Sequence, residues 1–238
     1  KDTEERHLQS LSEYPQQLPI IEQVHNEIAQ IIHDITEQFT KMYGMSYPID
    51  VNLIIGGFGS NAYTHRQIIP NVTFALERLS PNKNHLKTIV AHELGHVTHN
   101  MMTDAVGVDW KDIQWTNPLI WLHQEGVATH FSKQIVPNLP EAMYFSFNDE
   151  GEEWLQFAKN NKEEIKKQFA KDLKEDTTAI FKEWFSINGG KTFGYSRLAY
   201  FLGDWMFQEL LVEKGEQYAI TAWRNNNFLN EVENWLMR

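Results

Sequence analysis

The chain has 238 residues, 42% of them hydrophobic, a net charge of −11 and no cysteine. That apolar content excludes a disordered chain and suffices for one large domain or two tightly joined lobes. The acidic balance, with no basic run to track phosphates, excludes a nucleic-acid partner, and no apolar run approaches the ~20 residues of a membrane span.

Disulfides are ruled out, but a cysteine-free chain fits a bacterial cytoplasm, the expectation here, as well as secretion after loss of a signal peptide. No signal peptide is read in the sequence. It opens on Lys1 rather than Met, so something upstream is expected to have been removed or left out.

In chain order, residues 1–16 are polar and predict a loosely held lead-in. From Pro19 to Tyr43, Ile20, Val24, Ile28, Ile31, Ile32, Ile35 and Phe39 form a helical stripe, closed by Gly44 at a cap position. Ile49, Val51, Leu53 and Ile55 then alternate with Asp50 and Asn52, a strand that Gly56-Gly57 ends. Tyr63-Thr64 and Val72 to Leu76 predict two more short strands.

A helix follows from about Asn82 to Met102, with Leu86, Ile89, Val90, Leu94 and Val97 at three- and four-residue steps along one side. It contains His92-Glu93-Leu94-Gly95-His96. Four residues on a helix bring His92 and His96 to one face, where both imidazoles reach a single metal ion. Glu93 leans beside that site without needing to be a ligand, the position of a general base for a water activated by the metal. Gly95 stands where another backbone can come close.

Zinc needs a third protein ligand. A metzincin would place Gly and His where this chain has His99 and Met102, which excludes that arrangement, and there is no cysteine. The best candidate is Glu125, in a second helical stretch that Asn117 caps and Pro118 opens. His99 lies on the metal-facing side one turn beyond His96. A fourth protein ligand would close the position catalysis needs, so His99 is expected to hydrogen-bond behind the ligands or simply to pack. His123 and His130 point elsewhere.

The Trp-rich stretch from Asp109 to Trp121 predicts a core wall. From Glu150 onward the pattern is helical and acidic, with Lys162 to Lys167 as solvated surface and Gly189-Gly190 as a break before a helix from Arg197 to Glu213.

His92-Glu93-x-x-His96 followed by Glu125-Gly-Val-Ala128 resembles the gluzincin metallopeptidases, the thermolysin clan. Ser60-Asn61-Ala62-Tyr63-Thr64 resembles the Asn-Ala-aromatic segment of that clan's substrate-binding edge strand. Arg197-Leu-Ala-Tyr200-Phe-Leu-Gly203 is similar to the Gly-Tyr-x-x-Gly helix of uncharacterised bacterial families of zinc-dependent proteases.

The resemblance implies an α+β, zincin-like fold. A small mixed sheet packs on the active-site helix in an upper lobe (17–104), and a mainly helical lower lobe (105–238) carries the third ligand. It also implies one zinc per chain on His92, His96 and Glu125, Glu93 as general base, and Asn61 and Ala62 on the substrate backbone. A peptidase needs an oxyanion donor, for which the resemblance favours Tyr200, with Tyr195 nearby as the alternative; Arg197 would orient Tyr200 or hold a substrate carboxylate.

Two departures stand out: Thr129 replaces the clan's Asp four residues after the glutamate ligand, and the aminopeptidase Gly-x-Met-x-Asn signature is missing. The second favours an endopeptidase acting on peptides or proteins. The alternatives are a hydrolase of small amides or esters on the same fold, and a binding or regulatory module without turnover. The sequence sets no oligomeric state.

Overall fold

A computed structural model of the chain describes residues 3–65, 67 and 69–238. Helix α1 (Thr3–Tyr43) buries Ile21, Val24, Ile28, Ile31, Ile35 and Phe39 at the spacing expected of an amphipathic helix. Gly44, at φ +68°, ends it with its N–H on the Thr40 carbonyl.

Residues 3–16, expected to belong to a loosely held lead-in, are helical, and the helix runs through Pro15 and Pro19. The reason lies outside the helix. Tyr14 stacks on Phe58 at 5.7 Å and donates its hydroxyl to the Gly56 carbonyl, which fastens these turns to the end of the first strand.

Strands β1 (Val51–Ile54), β2 (Ala62–Thr64) and β3 (Val72–Ala75) form one mixed sheet in the order β1-β3-β2, with β1 parallel and β2 antiparallel to β3. The central strand β3 is buried throughout. On the edge strand β2, Asn61 accepts from Ala75 N and His65 donates to Asn71 O, both at 2.8 Å, so these backbone groups face β3. Antiparallel alternation then turns the N–H and C=O of Ala62 and Thr64 towards the free edge.

Helix α2 (Lys83–Ala105) carries the two histidines; Asn82 caps it by accepting from Asn84 N at 2.8 Å. The sequence predicts one apolar side, but between His85 and Asn100 only Lys87 and His96 are even partly exposed. Contacts with α1, with β2 and with the next helix enclose it. That next helix, α3 (Pro118–Ile135), begins where the sequence places it, with Asn117 accepting from Leu119 N at 2.9 Å.

Next come α4 (Met143–Ser146), α5 (Glu152–Asn160), α6 (Lys162–Asp172), α7 (Thr177–Trp184), α8 (Leu198–Lys214), α9 (Glu216–Ile220) and α10 (Phe228–Met237). The protein is α+β, mostly helical with a small three-stranded mixed sheet. Among the described residues no helix is long and apolar enough to cross a membrane.

The tryptophans do build core wall: Trp110 stacks on Trp115 at 4.8 Å, and Trp115 meets Trp223 edge-on. Lys166 departs from the solvated-surface reading. It is buried, with its ammonium 5.0 Å from the Trp205 ring and 4.5 Å from Trp235, whose faces replace part of its hydration.

Two hydrophobic cores share α3. Val127, Phe131 and Ile135 join the core of α1, the sheet and α2, while Leu119, Ile120 and Leu122 join the core of the later helices. Small residues let α3 press against both neighbours. A Cβ on Gly95 would stand 3.1 Å from Ala128 Cα, so α2 and α3 touch near van der Waals limit. A Cβ on Gly126 would stand 2.3 Å from the Gly203 carbonyl oxygen, and one on Gly203 2.3 Å from the Leu122 carbonyl oxygen, so α3 and α8 cross backbone to backbone.

Gly203→Ala must therefore push α8 off α3 at a cost of about 3 kcal/mol, lowering Tm by ~6–12 °C. Gly59→Ala, where a Cβ meets nothing within 4 Å, serves as control and should leave Tm unchanged within error. Equal melting temperatures for the two variants would disprove the contact.

A second expectation concerns acid. His99 and His123 are fully buried; burial pushes His123 down to about 4 and holds His99 well below its ordinary value. The unfolded chain binds these protons below about pH 6.5 and the folded chain does not. Stability is thus full above that pH and is lost as pH falls towards 4, by up to about 1.4 kcal/mol per pH unit for each histidine. Urea midpoints followed from pH 7 to 4.5 should fall less steeply in His123→Asn than in wild type, and parallel slopes would refute the assignment.

Candidate metal centre

Helices α2 and α3 bring three potential ligands together. His92 Nε2 lies 3.1 Å from Glu125 Oε2, and His96 Nε2 lies 3.7 Å from the same oxygen. The three ligand atoms fall within 4.8 Å of one another, the only such group among the described residues. Bonds of about 2.1 Å to a tetrahedral zinc separate neighbouring ligands by ~3.4 Å, so these spacings fit that ion without rearranging the helices.

The electrostatics suit a cation as well. Burial pushes His96 down to about 4, which keeps its imidazole neutral with a lone pair to offer. Burial drives Glu125 upward, but His96, His92 and Arg197 outweigh it and hold the carboxyl below its usual range.

Glu93 is 7% exposed and stands beside this group without belonging to it. Burial pushes its carboxyl up to about 7, against the opposing pull of His92 and a hydrogen bond from Thr64. Its Oε2 accepts from the Thr64 hydroxyl at 2.8 Å; the same hydroxyl lies 3.1 Å from the Glu93 carbonyl oxygen.

The group opens into a cleft of about 1170 Å³ whose walls include Asn61, Ala62 and Thr64 of the free sheet edge, Phe147, Arg197 and Tyr200. Tyr200 stacks on His92 at 5.9 Å between centroids. Burial, with Glu125 and Glu93, pushes its phenol far above the ordinary tyrosine value, so it keeps its proton. Tyr195 points elsewhere, its hydroxyl on Glu153 Oε1 at 2.7 Å. Arg197 donates to the Phe145 carbonyl, with its guanidinium 4.6 Å from the Tyr200 ring and 5.2 Å from Phe147. Asn61 Oδ1 accepts from Ala62 N at 2.9 Å, which occupies one of the free-edge donors internally.

His99 does not join the ligand group: its ring lies flat on Trp223 at 4.0 Å, so of the two roles read for it packing is the one seen. His92 Nδ1 and Thr129 Oγ1 are each buried without a hydrogen-bond partner, so among the described residues no carboxylate backs the first histidine.

Sequence reasoning assigned nothing to Phe147, whose ring meets His92 edge-on at 5.2 Å, or to the hydroxyl of Thr64. No local pattern flags either one. Among described non-glycine residues with positive φ, Phe58, Phe147 and Arg197 line the cleft and Asn138 does not, so backbone strain gathers at this site.

If Glu125 is a ligand, Glu125→Ala removes one of three donors and should weaken zinc affinity at least about a hundredfold in a chelator competition. Glu150, on the cleft rim outside the ligand group, is the control, and Glu150→Ala should bind as wild type. Unchanged affinity in Glu125→Ala would move the third ligand elsewhere.

The model of the family described as "Putative zinc dependent peptidase (DUF5700)" matches residues 1–227. No curated protein and no solved structure matches the chain. The family match runs through α2, α3 and α8 and so spans all three potential ligands and the cleft around them, and on that match the chain belongs to the DUF5700 family.

Proposed function

We propose that this protein is a zinc-dependent peptidase of gluzincin type, on a zincin-like fold whose upper lobe spans 17–104 and lower lobe 105–238. The observation that carries the reading is the convergence of His92, His96 and Glu125 within 4.8 Å, with Glu93 buried beside them and outside the ligand set. The family description supports zinc dependence and peptide hydrolysis.

One zinc per chain, held by those three side chains, would supply a Lewis acid and a water acidified towards neutral pH. Glu93 takes a proton from the attacking water and returns it to the leaving amine; burial raises its hold on a proton, and a zinc ion beside it would pull the other way. Tyr200, kept protonated, donates to the oxygen that gains charge as the carbonyl is attacked. Arg197, against the Tyr200 ring and bonded to Phe145, holds that tyrosine in place.

An extended peptide lies along β2 beside Asn61 and Ala62, pairing with the Ala62 C=O and the Thr64 N–H and C=O on its free edge, while Asn61, on releasing the Ala62 N–H, would bond the substrate's main chain. The missing aminopeptidase signature favours internal cleavage of a peptide or protein chain.

Glu93→Gln tests the reading, because it removes the base and leaves the ligands. Hydrolysis of an unbiased peptide library should fall about a hundred- to ten-thousandfold while zinc stays near one per chain by elemental analysis. Loss of zinc would make Glu93 a ligand, near-normal turnover would assign the proton transfer to another group, and a zinc-loaded wild type that cleaves no peptide would defeat the peptidase reading itself.

A further inference from the structure

Glu93 can work as a base only if its carboxylate is held in one place, and the helix that carries it does not do this. The hydrogen bond that the fold places on this side chain comes from across the site: the Thr64 hydroxyl donates to Oε2 at 2.8 Å. Among the described residues no donor is bonded to Oε1, so one oxygen is tied down and the other is left for chemistry.

Thr64 suits this work in three ways. As a β-branched residue in a strand it has few χ1 choices, which fixes where its hydroxyl sits. Its backbone belongs to the last register pair of β2, Thr64 with Val72, so the sheet fixes the strand that bears it. Its own N–H and C=O turn to the free edge, where an extended chain would dock. One residue thus touches the base with its side chain and borders the docking edge with its main chain.

We propose that Thr64 is a positioning residue, which holds the Glu93 carboxylate through Oε2 and ties its placement to the edge strand. The inference rests on the reading of Glu93 as general base, and it adds a requirement that reading does not contain.

Thr64→Val keeps the shape and removes the hydroxyl; Thr64→Ser keeps the hydroxyl. With zinc loaded, Thr64→Val should lower kcat about tenfold or more with KM within about twofold and zinc content unchanged, and Thr64→Ser should recover most of the loss. In the Glu93→Gln background, Thr64→Val should cost nothing further, because a residue acting through Glu93 has nothing left to position.

A readout free of turnover comes from crystal structures of the wild type and Thr64→Val, each stripped of zinc by chelation. The Glu93 carboxylate should hold one orientation on Thr64 in the first and be displaced or split in the second. An unmoved carboxylate in Thr64→Val, or an equal loss of kcat in the Glu93→Gln background, would overturn the proposal. A wild type that cleaves no peptide, with the carboxylate nonetheless displaced in Thr64→Val, would defeat the peptidase reading and leave the positioning role standing.

Discussion

The candidate centre depends on how closely α3 can approach its two neighbours. Gly95 lets α2 come to Ala128, and Gly126 and Gly203 let α8 cross α3 with carbonyl oxygens where a methyl group would otherwise sit. Facing helices already let histidine and glutamate side chains converge on one ion at ordinary separations of about 8–10 Å between axes, and the close approach here fixes where they meet. Two histidines of α2 and one glutamate of α3 come within 4.8 Å of one another. Tyr200 reaches the same place because it lies one turn before Gly203 on α8.

Enclosure follows from the same packing. A helix buried on nearly every side puts its polar residues under strong constraint, and between His85 and Asn100 α2 opens only at Lys87 and His96 and faces Glu93 to the Thr64 hydroxyl. Burial raises both carboxyls and their neighbours separate them: His96, His92 and Arg197 hold Glu125 low, while Glu93 has weaker compensation and rises to about 7.

The cleft also has costs. Phe147 and Arg197 hold left-handed backbone conformations, each worth on the order of 1–3 kcal/mol, and each is pinned by the other: the guanidinium lies over the Phe147 ring and bonds the Phe145 carbonyl. His92 Nδ1 and Thr129 Oγ1 add unpaired polar atoms in the interior. Among the described residues the left-handed backbone gathers at the cleft, whereas unpaired buried polar atoms also occur elsewhere, at Tyr43, Glu77, Trp110 and His123 among others.

By itself the sequence determined whatever is written in short spacings. Alternation marked β1, helical spacing and the caps at Asn82 and Asn117 marked α2 and α3, and the four-residue step set His92 and His96 on one face. These features are local, because period and capping chemistry act within a few residues of one another. It also named Glu125 and Tyr200, by likeness and not by geometry. Tertiary structure alone decided that α1 begins before its prolines, that Lys166 lies between two tryptophan rings, that His99 packs on Trp223, and that Thr64 reaches Glu93 from twenty-nine residues away. Each of these depends on a contact between segments remote in the chain, and no periodicity encodes which remote surface a side chain will meet.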